Sequence, residues 1–256
     1  MDQFEKFIDR LHYIVGTPGD FLRLCRATAR NRVHRLTAPL GARRVLCNLC
    51  GWEGRHFDYF LERHFVTADA QCPGCGSQRR NRELVSFIEG ELPQARRVLD
   101  VAPAPRYREW FERRGADYLS IDFGERAAMV LMDVRRLAFP EAAFDLIILS
   151  HVLEHVPDFE TALGEVRRVL APSGAALIDV PFADRPDSRR LPRPDHQGHW
   201  HDFGRDIVNV IAAAGFSVTA ANYSPERPGS DPGNTFFVAR PVPVRPVSVA
   251  NPDGKL

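Results

Sequence analysis

The spacing of apolar residues changes along the chain and divides the sequence into two parts. In the first part, apolar residues recur at helical spacing over residues 4–15 and again over Phe21–Leu36. Gly16-Thr17-Pro18-Gly19 interrupts the pattern between these two predicted helices. Residues 45–78 are rich in turn residues and cysteine, and a short amphipathic helix is predicted over Leu84–Leu92.

From residue 97 onward, predicted strands alternate with predicted helices. The helices are Arg106–Arg114, Phe159–Leu170 and Phe203–Ala214, and the second is followed by the turn Pro172-Ser173-Gly174. Seven segments are predicted to be strands: Arg97–Val101, Tyr118–Asp122, Ala128–Met132, Phe144–Ser150, Ala175–Val180, Phe216–Tyr223 and Thr235–Ala239. This alternation predicts an α/β fold, namely a Rossmann-like, doubly wound and mostly parallel sheet of seven strands.

Four cysteines form two close pairs in the turn-rich segment. Cys47 and Cys50 form one pair, and Cys72 and Cys75 form the second pair 21 residues later. A glycine follows each pair and allows a tight turn, so the two turns can offer four thiolates to one tetrahedral Zn²⁺ ion. Four protein ligands close such a site, which makes the metal structural. The alternatives are unrelated free thiols or a redox pair.

Composition and charge narrow the range of functions. Hydrophobic residues make up 44% of the chain and charged residues 26%, and no stretch of about 18 apolar residues is present to cross a membrane. The amino terminus has no signal-peptide layout, so a cytoplasmic protein is expected. Residues 1–97 carry a net charge of +5 and residues 98–256 a net charge of −4. The region Arg23–Arg44 holds seven arginines and no acid, which indicates either a solvated helix face or contact with an anionic partner.

The 256 residues suit one medium domain with a small module. The predicted order is a basic helical segment (1–44), a zinc ribbon (45–80), a Rossmann-like domain (81–240) and a proline-rich tail (241–256). Cys25 lies outside the paired spacing and is expected to be an ordinary buried thiol.

Acidic residues end three successive predicted strands, where a doubly wound sheet holds its ligand. Asp100 ends the first strand, and Ala102 stands in the following turn where glycine is usual. Asp122 follows Asp100 by 22 residues, the offset of an acid that binds ribose hydroxyls. Phe123 follows Asp122 and could lie against an adenine ring. Asp133 ends the third predicted strand, and its carboxylate or the N–H of the next residue, Val134, could meet the adenine amino edge.

A family resemblance adds a reaction to this picture. The run from Met132 to Phe182, with HVLEHV after an apolar strand and then EVRRVLAPSG, resembles the core of class I S-adenosylmethionine-dependent methyltransferases of the type 11 group. The resemblance covers about residues 96–240. The segment CPGCGSQRRNREL resembles a bacterial subset with an amino-terminal zinc ribbon, in which an alanine-proline turn replaces the glycine loop.

The resemblance also implies roles for individual residues. Asp100 and Ala102 match the loop at the methionine end of the cofactor. Asp122 and Asp133 match the acids on the ribose and adenine sides. After the fourth strand, where the amino acid part and the methyl group of the cofactor lie, the matching residues are Ser150 and His151.

Methyl transfer to a hydroxyl needs a base, and histidine is the usual one. His151 and His155 follow the fourth strand, although His155 could instead cap a short helix. His196, between the fifth strand and the next helix, is the preferred base or substrate-orienting group. A second metal at His196, His199 and His201 is not expected, because nothing in the sequence predicts an ordered turn there.

Three functions are compatible with the sequence. The first is methyl transfer from S-adenosylmethionine to a small molecule or glycan precursor. The second is methylation of RNA, gripped by the zinc ribbon and the arginine-rich segment, although no aromatic-basic RNA module is present. The third is a binding scaffold that has lost the cofactor through its altered turn. The retained Asp122, Asp133 and HVLEH segment argue against the scaffold.

Overall fold

A computed structural model provides the structure of the protein. It describes residues 18–37, 45–61, 66–124, 128–181, 185–222 and 235–243. The predicted helix at residues 4–15 and most of the proline-rich tail lie outside these residues. The chain forms two compact units. Among the described residues, none of the helices combines the length and apolarity that a membrane span requires.

The first unit comprises the described residues up to 94 together with residues 103–115. It contains three helices: α1 (Pro18–Thr37), α2 (Arg79–Glu91) and α3 (Tyr107–Glu112). Two antiparallel ribbons lie between α1 and α2, and they pair β1 (Val45–Leu46) with β2 (Glu53–Gly54) and β3 (Asp58–Leu61) with β4 (Val66–Gln71). These ribbons carry the paired cysteines.

Helix α1 is held against the second ribbon by polar contacts. The guanidinium of Arg35 lies 2.7 Å from the buried carboxylate of Asp58. The side chain of Asn31 bonds to the backbone of Tyr59 in both directions, at 2.8 and 3.1 Å. The sequence predicted that the Cys25 thiol is buried. This prediction is wrong, because Cys25 is exposed on α1.

The second unit holds the large sheet and comprises residues 95–102, 116–222 and 235–243. Its strand order is β12-β13-β9-β8-β5-β6-β7, and only β13 runs antiparallel to its neighbours. The strands are β5 (Arg97–Val101), β6 (Asp117–Asp122), β7 (Val130–Leu131), β8 (Phe144–Ser150), β9 (Leu170–Asp179), β12 (Phe216–Asn222) and β13 (Thr235–Pro241). The predicted seven-stranded, mostly parallel Rossmann-like sheet is therefore confirmed.

The remaining elements of this unit follow strands of the sheet. A short 3₁₀ turn (Leu153–His155) and helix α4 (Phe159–Val169) come after β8. Asp158 caps α4 by accepting a hydrogen bond from the backbone of Thr161. A small hairpin of β10 (Arg189–Arg190) and β11 (His201–Asp202) comes after β9, and helix α5 (Ile207–Ala213) precedes β12.

Two predictions for this unit were wrong in their boundaries. The predicted turn Pro172-Ser173-Gly174 lies inside β9, where the pairing of β8 with β9 changes register and accommodates extra residues. A Cβ atom at Gly174 would lie 2.8 Å from the carbonyl oxygen of Asp145, so close backbone approach requires glycine there. The helix predicted to start at Phe203 starts four residues later, at Ile207, and Phe203 is fully buried ahead of it.

Candidate functional site

The carboxyl end of β5 leads into a backbone turn that L-residues seldom adopt. Ala102, directly after the strand, has φ of +58° and an exposed side chain. Its N–H donates to the carbonyl oxygen of Ile121 in β6 at 2.8 Å. This is a left-handed conformation that glycine normally supplies, so the alanine occupies the glycine position with glycine geometry.

Asp100 is buried beneath this turn. Its side chain is 1% exposed, and its Oδ2 accepts a hydrogen bond from the Tyr118 hydroxyl at 2.6 Å. Burial raises the pKa of Asp100 to about 7, and the bond from Tyr118 offsets only part of that rise. The Asp100 carboxylate is covered by protein. Its predicted contact with a cofactor therefore stays a prediction.

Asp122 lies at the end of β6, next to an exposed aromatic ring. Its Oδ1 accepts a hydrogen bond from the Gly124 N–H at 2.8 Å, which fixes the carboxylate at the start of a turn. The Phe123 side chain is 78% exposed, a large apolar surface without cover in this unit. The carboxylate and the ring are thus presented together at the carboxyl edge of the sheet.

Asp133 follows β7 and is engaged by a neighbouring cation. The Arg135 guanidinium lies 2.6 Å from Oδ2, and it holds the pKa of the Asp133 carboxyl below its usual range. The next residue, Val134, is buried. The sequence predicted an adenine contact for the Asp133 carboxylate or for the Val134 N–H. The structure shows that the carboxylate is already paired with Arg135.

The end of β8 carries a second left-handed residue and a group of polar side chains. His151 has φ of +57°, and its N–H donates to the carbonyl oxygen of Asp179 at 2.8 Å. The Ser150 hydroxyl donates to the Asp179 carboxylate at 3.1 Å, and the His151 ring lies 3.7 Å from the same carboxylate. Ser150, His151 and Asp179 therefore meet where β8 and β9 end side by side.

The predicted histidines separate into different surroundings. His155 is exposed, and its ring contacts the ring of His199, with centroids 4.8 Å apart. His196 lies in an exposed turn, and its role as a base stays a prediction. His201 is buried against Phe159, and its Nε2–H donates to the carbonyl oxygen of Pro157 at 3.2 Å, so it does not join the other two histidines.

The segment that carries these histidines is ordered, contrary to the expectation from the sequence. The N–H of Leu191 donates to the Trp200 carbonyl oxygen at 2.8 Å, and that of Asp195 donates to the His199 carbonyl oxygen at 3.0 Å. These bonds extend the β10–β11 hairpin to its tip. The hairpin therefore fixes the place of His199 relative to the 3₁₀ turn.

The four paired cysteines converge in the first unit. All four sulfurs lie within 4.8 Å of one another, with Cys47 Sγ 3.9 Å from Cys75 Sγ and Cys50 Sγ 3.7 Å from Cys72 Sγ. Sulfurs about 2.3 Å from a tetrahedral zinc ion are roughly 3.8 Å apart, so the arrangement fits such an ion.

The two cysteine turns also share one backbone geometry. Gly51 and Gly76 have φ of +76° and +75°, and each donates its N–H to the carbonyl oxygen of the first cysteine of its turn. The repeated left-handed glycine is the feature that lets each turn aim two sulfurs inward. Burial raises the pKa of Cys50 to about 11.

A family of known domains matches the part of the chain that carries this edge. The model of the methyltransferase domain family matches residues 76–221, which is more than half of the chain. The chain belongs to the methyltransferase domain family. The prediction of a methyltransferase made from HVLEHV and its surroundings is thereby confirmed, while the type 11 group and the zinc-ribbon subset stay predictions.

Curated relatives of this methyltransferase domain cover part of it at low identity. The demethylmenaquinone methyltransferase of Renibacterium salmoninarum is 31% identical over 134 residues, which is 48% of this chain and 55% of that protein. The malonyl-[acyl-carrier protein] O-methyltransferase of Halorhodospira halophila is 35% identical over 81 residues, 32% of this chain and 25% of that protein. The chain spans about half the length, or less, of these relatives.

A solved structure shares the fold of the methyltransferase domain. The 1,6-didemethyltoxoflavin-N1-methyltransferase of Burkholderia thailandensis, crystallised with 1,6-didemethyltoxoflavin and S-adenosylhomocysteine, superimposes with a TM-score of 0.51 at 22% identity. The match covers 64% of this chain and 79% of that one. It shows that the sheet seen here is the sheet of a known methyltransferase.

The sequence analysis missed Asp179 and did not predict the burial of Glu154, an acid of the HVLEH segment. Asp179 ends β9 and is 3% exposed, and Glu154 in the 3₁₀ turn is fully buried. An acid at the end of the apolar run ALID was the available signal for Asp179. Glu154 gave no such signal, because its burial depends on packing between distant segments.

Proposed function

We propose that the chain transfers a methyl group from S-adenosylmethionine to a small-molecule or glycan-precursor acceptor. The observation that carries this is the presentation of Asp122 and Phe123 together at the carboxyl end of β6, within a methyltransferase domain. A carboxylate can accept hydrogen bonds from both ribose hydroxyls, and an exposed ring can cover the adenine. The names of two relatives, a demethylmenaquinone methyltransferase and a malonyl-[acyl-carrier protein] O-methyltransferase, support a small-molecule acceptor.

The remaining cofactor contacts follow from the same edge. Because Arg135 occupies the Asp133 carboxylate, we assign the adenine amino edge to the Val134 N–H. The left-handed turn at Ala102 lets backbone approach the methionine end closely. Ser150 and His151, aligned by Asp179, are assigned to the amino acid part of the cofactor.

The cofactor supplies an electrophilic methyl group, and the protein positions the acceptor and manages its proton. Histidines next to this edge are the groups of the chain that can hold that proton near neutral pH. His151 lies at the edge itself, while His155 and His196 lie on the segments that follow β8 and β9. His196 is retained as the preferred base because its ring is exposed and can meet an acceptor.

We also infer that Cys47, Cys50, Cys72 and Cys75 hold one structural Zn²⁺ ion. The sulfur spacing and the paired left-handed glycines support a closed tetrahedral site. This site uses its four ligands for structure, so it takes no part in the transfer.

The test of the proposed function is equilibrium binding followed by transfer. Calorimetric titration with S-adenosylhomocysteine and S-adenosylmethionine is expected to show one site per chain. Transfer of labelled methyl groups from S-adenosylmethionine into a fractionated metabolite extract is then expected to label a small molecule. If the folded protein binds neither ligand, the turn at Ala102 has abolished the site and the scaffold alternative is correct.

A further inference from the structure

Glu154 is a buried acid without the hydrogen bonds that such a group needs. Its side chain is fully buried, and neither carboxylate oxygen has a hydrogen-bond partner among the described residues. The Nδ1 atom of His151 lies 3.1 Å from Oε1 but makes no hydrogen bond to it. A buried carboxylate in this state is strongly destabilising unless a further positive partner binds it.

One ring nitrogen of His155 and one of His199 lie within 4.8 Å of a carboxylate oxygen of Glu154. Nδ1 of His155 lies 3.3 Å from the carbonyl oxygen of Gly198, which can only accept, so Nδ1 carries the proton and Nε2 keeps its lone pair. Nδ1 of His199 lies 3.5 Å from the Asp195 carboxylate, which sets the same tautomer. A histidine oriented by a carboxylate or carbonyl in this way is the usual arrangement of a metal ligand.

The backbone holds the two segments together. The N–H of Trp200 donates to the carbonyl oxygen of Glu154 at 2.7 Å, which joins the hairpin to the 3₁₀ turn. The hairpin tip passes close to His155, because Gly198 has φ of +86° and a Cβ there would lie 3.5 Å from the His155 ring. The juxtaposition is thus built by main-chain contacts as well as by side chains.

We propose that Glu154, His155 and His199 form a second metal site, for a divalent transition-metal ion such as Zn²⁺. One ligand atom from each residue lies within 4.8 Å of the others. Ligands about 2.1 Å from a tetrahedral ion are roughly 3.4 Å apart, so a bound ion would draw the three side chains somewhat closer together than the limit of 4.8 Å. Imidazole and carboxylate ligands suit zinc and its neighbours in the first transition row.

Such a site differs in kind from the cysteine cluster. Three protein ligands leave a coordination position open, whereas four thiolates leave none. An oxygen atom of the methyl acceptor could take the open position, and bound metal would lower the pKa of its hydroxyl. This last role rests on the proposed function, but the metal site itself does not.

The experiment counts metal ions in the full-length protein. Protein loaded with Co²⁺ and freed of excess ion is expected to hold about two cobalt ions per chain, only one of them with thiolate charge-transfer absorption. Glu154→Gln, His155→Ala and His199→Ala are each expected to lose the ion without that absorption and to keep the other. His196→Ala is the matched control from the same hairpin and is expected to keep both.

Each result decides the proposal without reference to activity. If the parent protein binds no ion outside the thiolate site, or if all three variants retain it, the site does not exist. If Glu154→Gln does not fold, the exposed His155→Ala variant gives the answer. Titration with S-adenosylhomocysteine on the same samples tests the proposed function separately, since His199→Ala is expected to bind it as the parent does.

Discussion

Ala102 adopts a backbone conformation that disfavours alanine, and its replacement should be stabilising. The left-handed conformation destabilises an L-residue by roughly 1–2 kcal/mol. Glycine avoids this cost, but it has more conformational entropy in the unfolded state, which offsets about 0.5–1 kcal/mol of the gain. Ala102→Gly is therefore expected to raise the free energy of unfolding by about 0.5–1 kcal/mol, measured by urea denaturation. Ala104→Gly is the control: Ala104 is not among the residues with positive φ, so that change should lower stability.

Asp100 makes the stability of the sheet depend on pH. Its folded-state pKa, about 7, lies above the ordinary value of 3.8, so between these values the folded state binds more protons than the unfolded state. Stability is thus greatest at acid pH and falls as pH rises towards 7. Asp100→Asn keeps an oxygen for Tyr118 and removes the titration.

The measurement compares denaturant unfolding of the parent and of Asp100→Asn at pH 5 and pH 8. The free energy of unfolding of Asp100→Asn, relative to that of the parent, is expected to increase by about 2 kcal/mol between pH 5 and pH 8. An advantage that stays constant over this range would show that Asp100 does not titrate there.

Asp122 is the residue on which cofactor affinity is expected to depend most. A carboxylate that accepts from two ribose hydroxyls makes charge-assisted bonds of about 1.5–3 kcal/mol each. Asp122→Ala should weaken binding of S-adenosylmethionine by roughly ten- to a hundredfold or more. Asp122→Asn should be milder, because its amide oxygen can still accept from the Gly124 N–H and from one hydroxyl.

Calorimetric titration checks these values, with melting curves as the folding control. Asp133→Ala offers a comparison at the same edge and should have a smaller effect, since the Val134 N–H remains. Parent-like affinity of Asp122→Ala would show that the ribose assignment is wrong.

At the scale of elements, the two cysteine turns predict a pattern of thiol reactivity. Zinc-bound thiolates are protected, whereas Cys25 is exposed on α1 and outside the cluster. A thiol reagent is expected to modify one of the five cysteines in native protein and all five after a chelator has removed the metal. Cys25→Ser should leave no reactive thiol before chelation. Modification of all five in untreated protein would mean that no metal is bound.

The strands were easier to predict than the helix ends, for a physical reason. The strands β5, β6 and β8 are apolar runs bounded by polar residues, and their predicted limits agree with the structure to within one residue. Helix α2 starts five residues before its predicted start, because its first turn is polar. Gln78 and Asn81 cap it through their side chains, which an apolar pattern does not reveal.

The same distinction applies to the candidate site. Asp100, Asp122 and Asp133 could be found because each ends a strand, and strand ends meet at one edge of a parallel sheet. Asp179 also ends a strand and could have been found in the same way. Glu154 acquires its buried surroundings from chain segments far away in sequence, and no local pattern records such contacts.

For the molecule as a whole, the uneven charge raises the question of a nucleic acid partner. Residues 1–97 have a net charge of +5, and α1 exposes several arginines. Two of these arginines are engaged within the first unit, Arg30 with Tyr59 and Arg35 with Asp58. Part of the basic face thus serves to hold the helix in place.

We expect only weak, salt-sensitive RNA binding, because a few phosphate contacts lose most of their affinity at near-physiological salt. Fluorescence anisotropy with a labelled RNA over a salt series measures this. Arg23, Arg26 and Arg32 are exposed, and their joint change to alanine tests the helix face. Tight binding near physiological salt that this change abolishes would favour the RNA methyltransferase alternative.

The left-handed residues Ala102 and His151 have a consequence for how the protein can adapt to heat. Both lie at the carboxyl edge, directly after β5 and β8. Relief of about 1 kcal/mol raises the melting temperature of a domain of this size by roughly 2–4 °C. Selection for growth at higher temperature would thus favour stabilising substitutions at the same two positions that shape the proposed ligand edge. Heat adaptation and ligand affinity would then have to change together in this lineage.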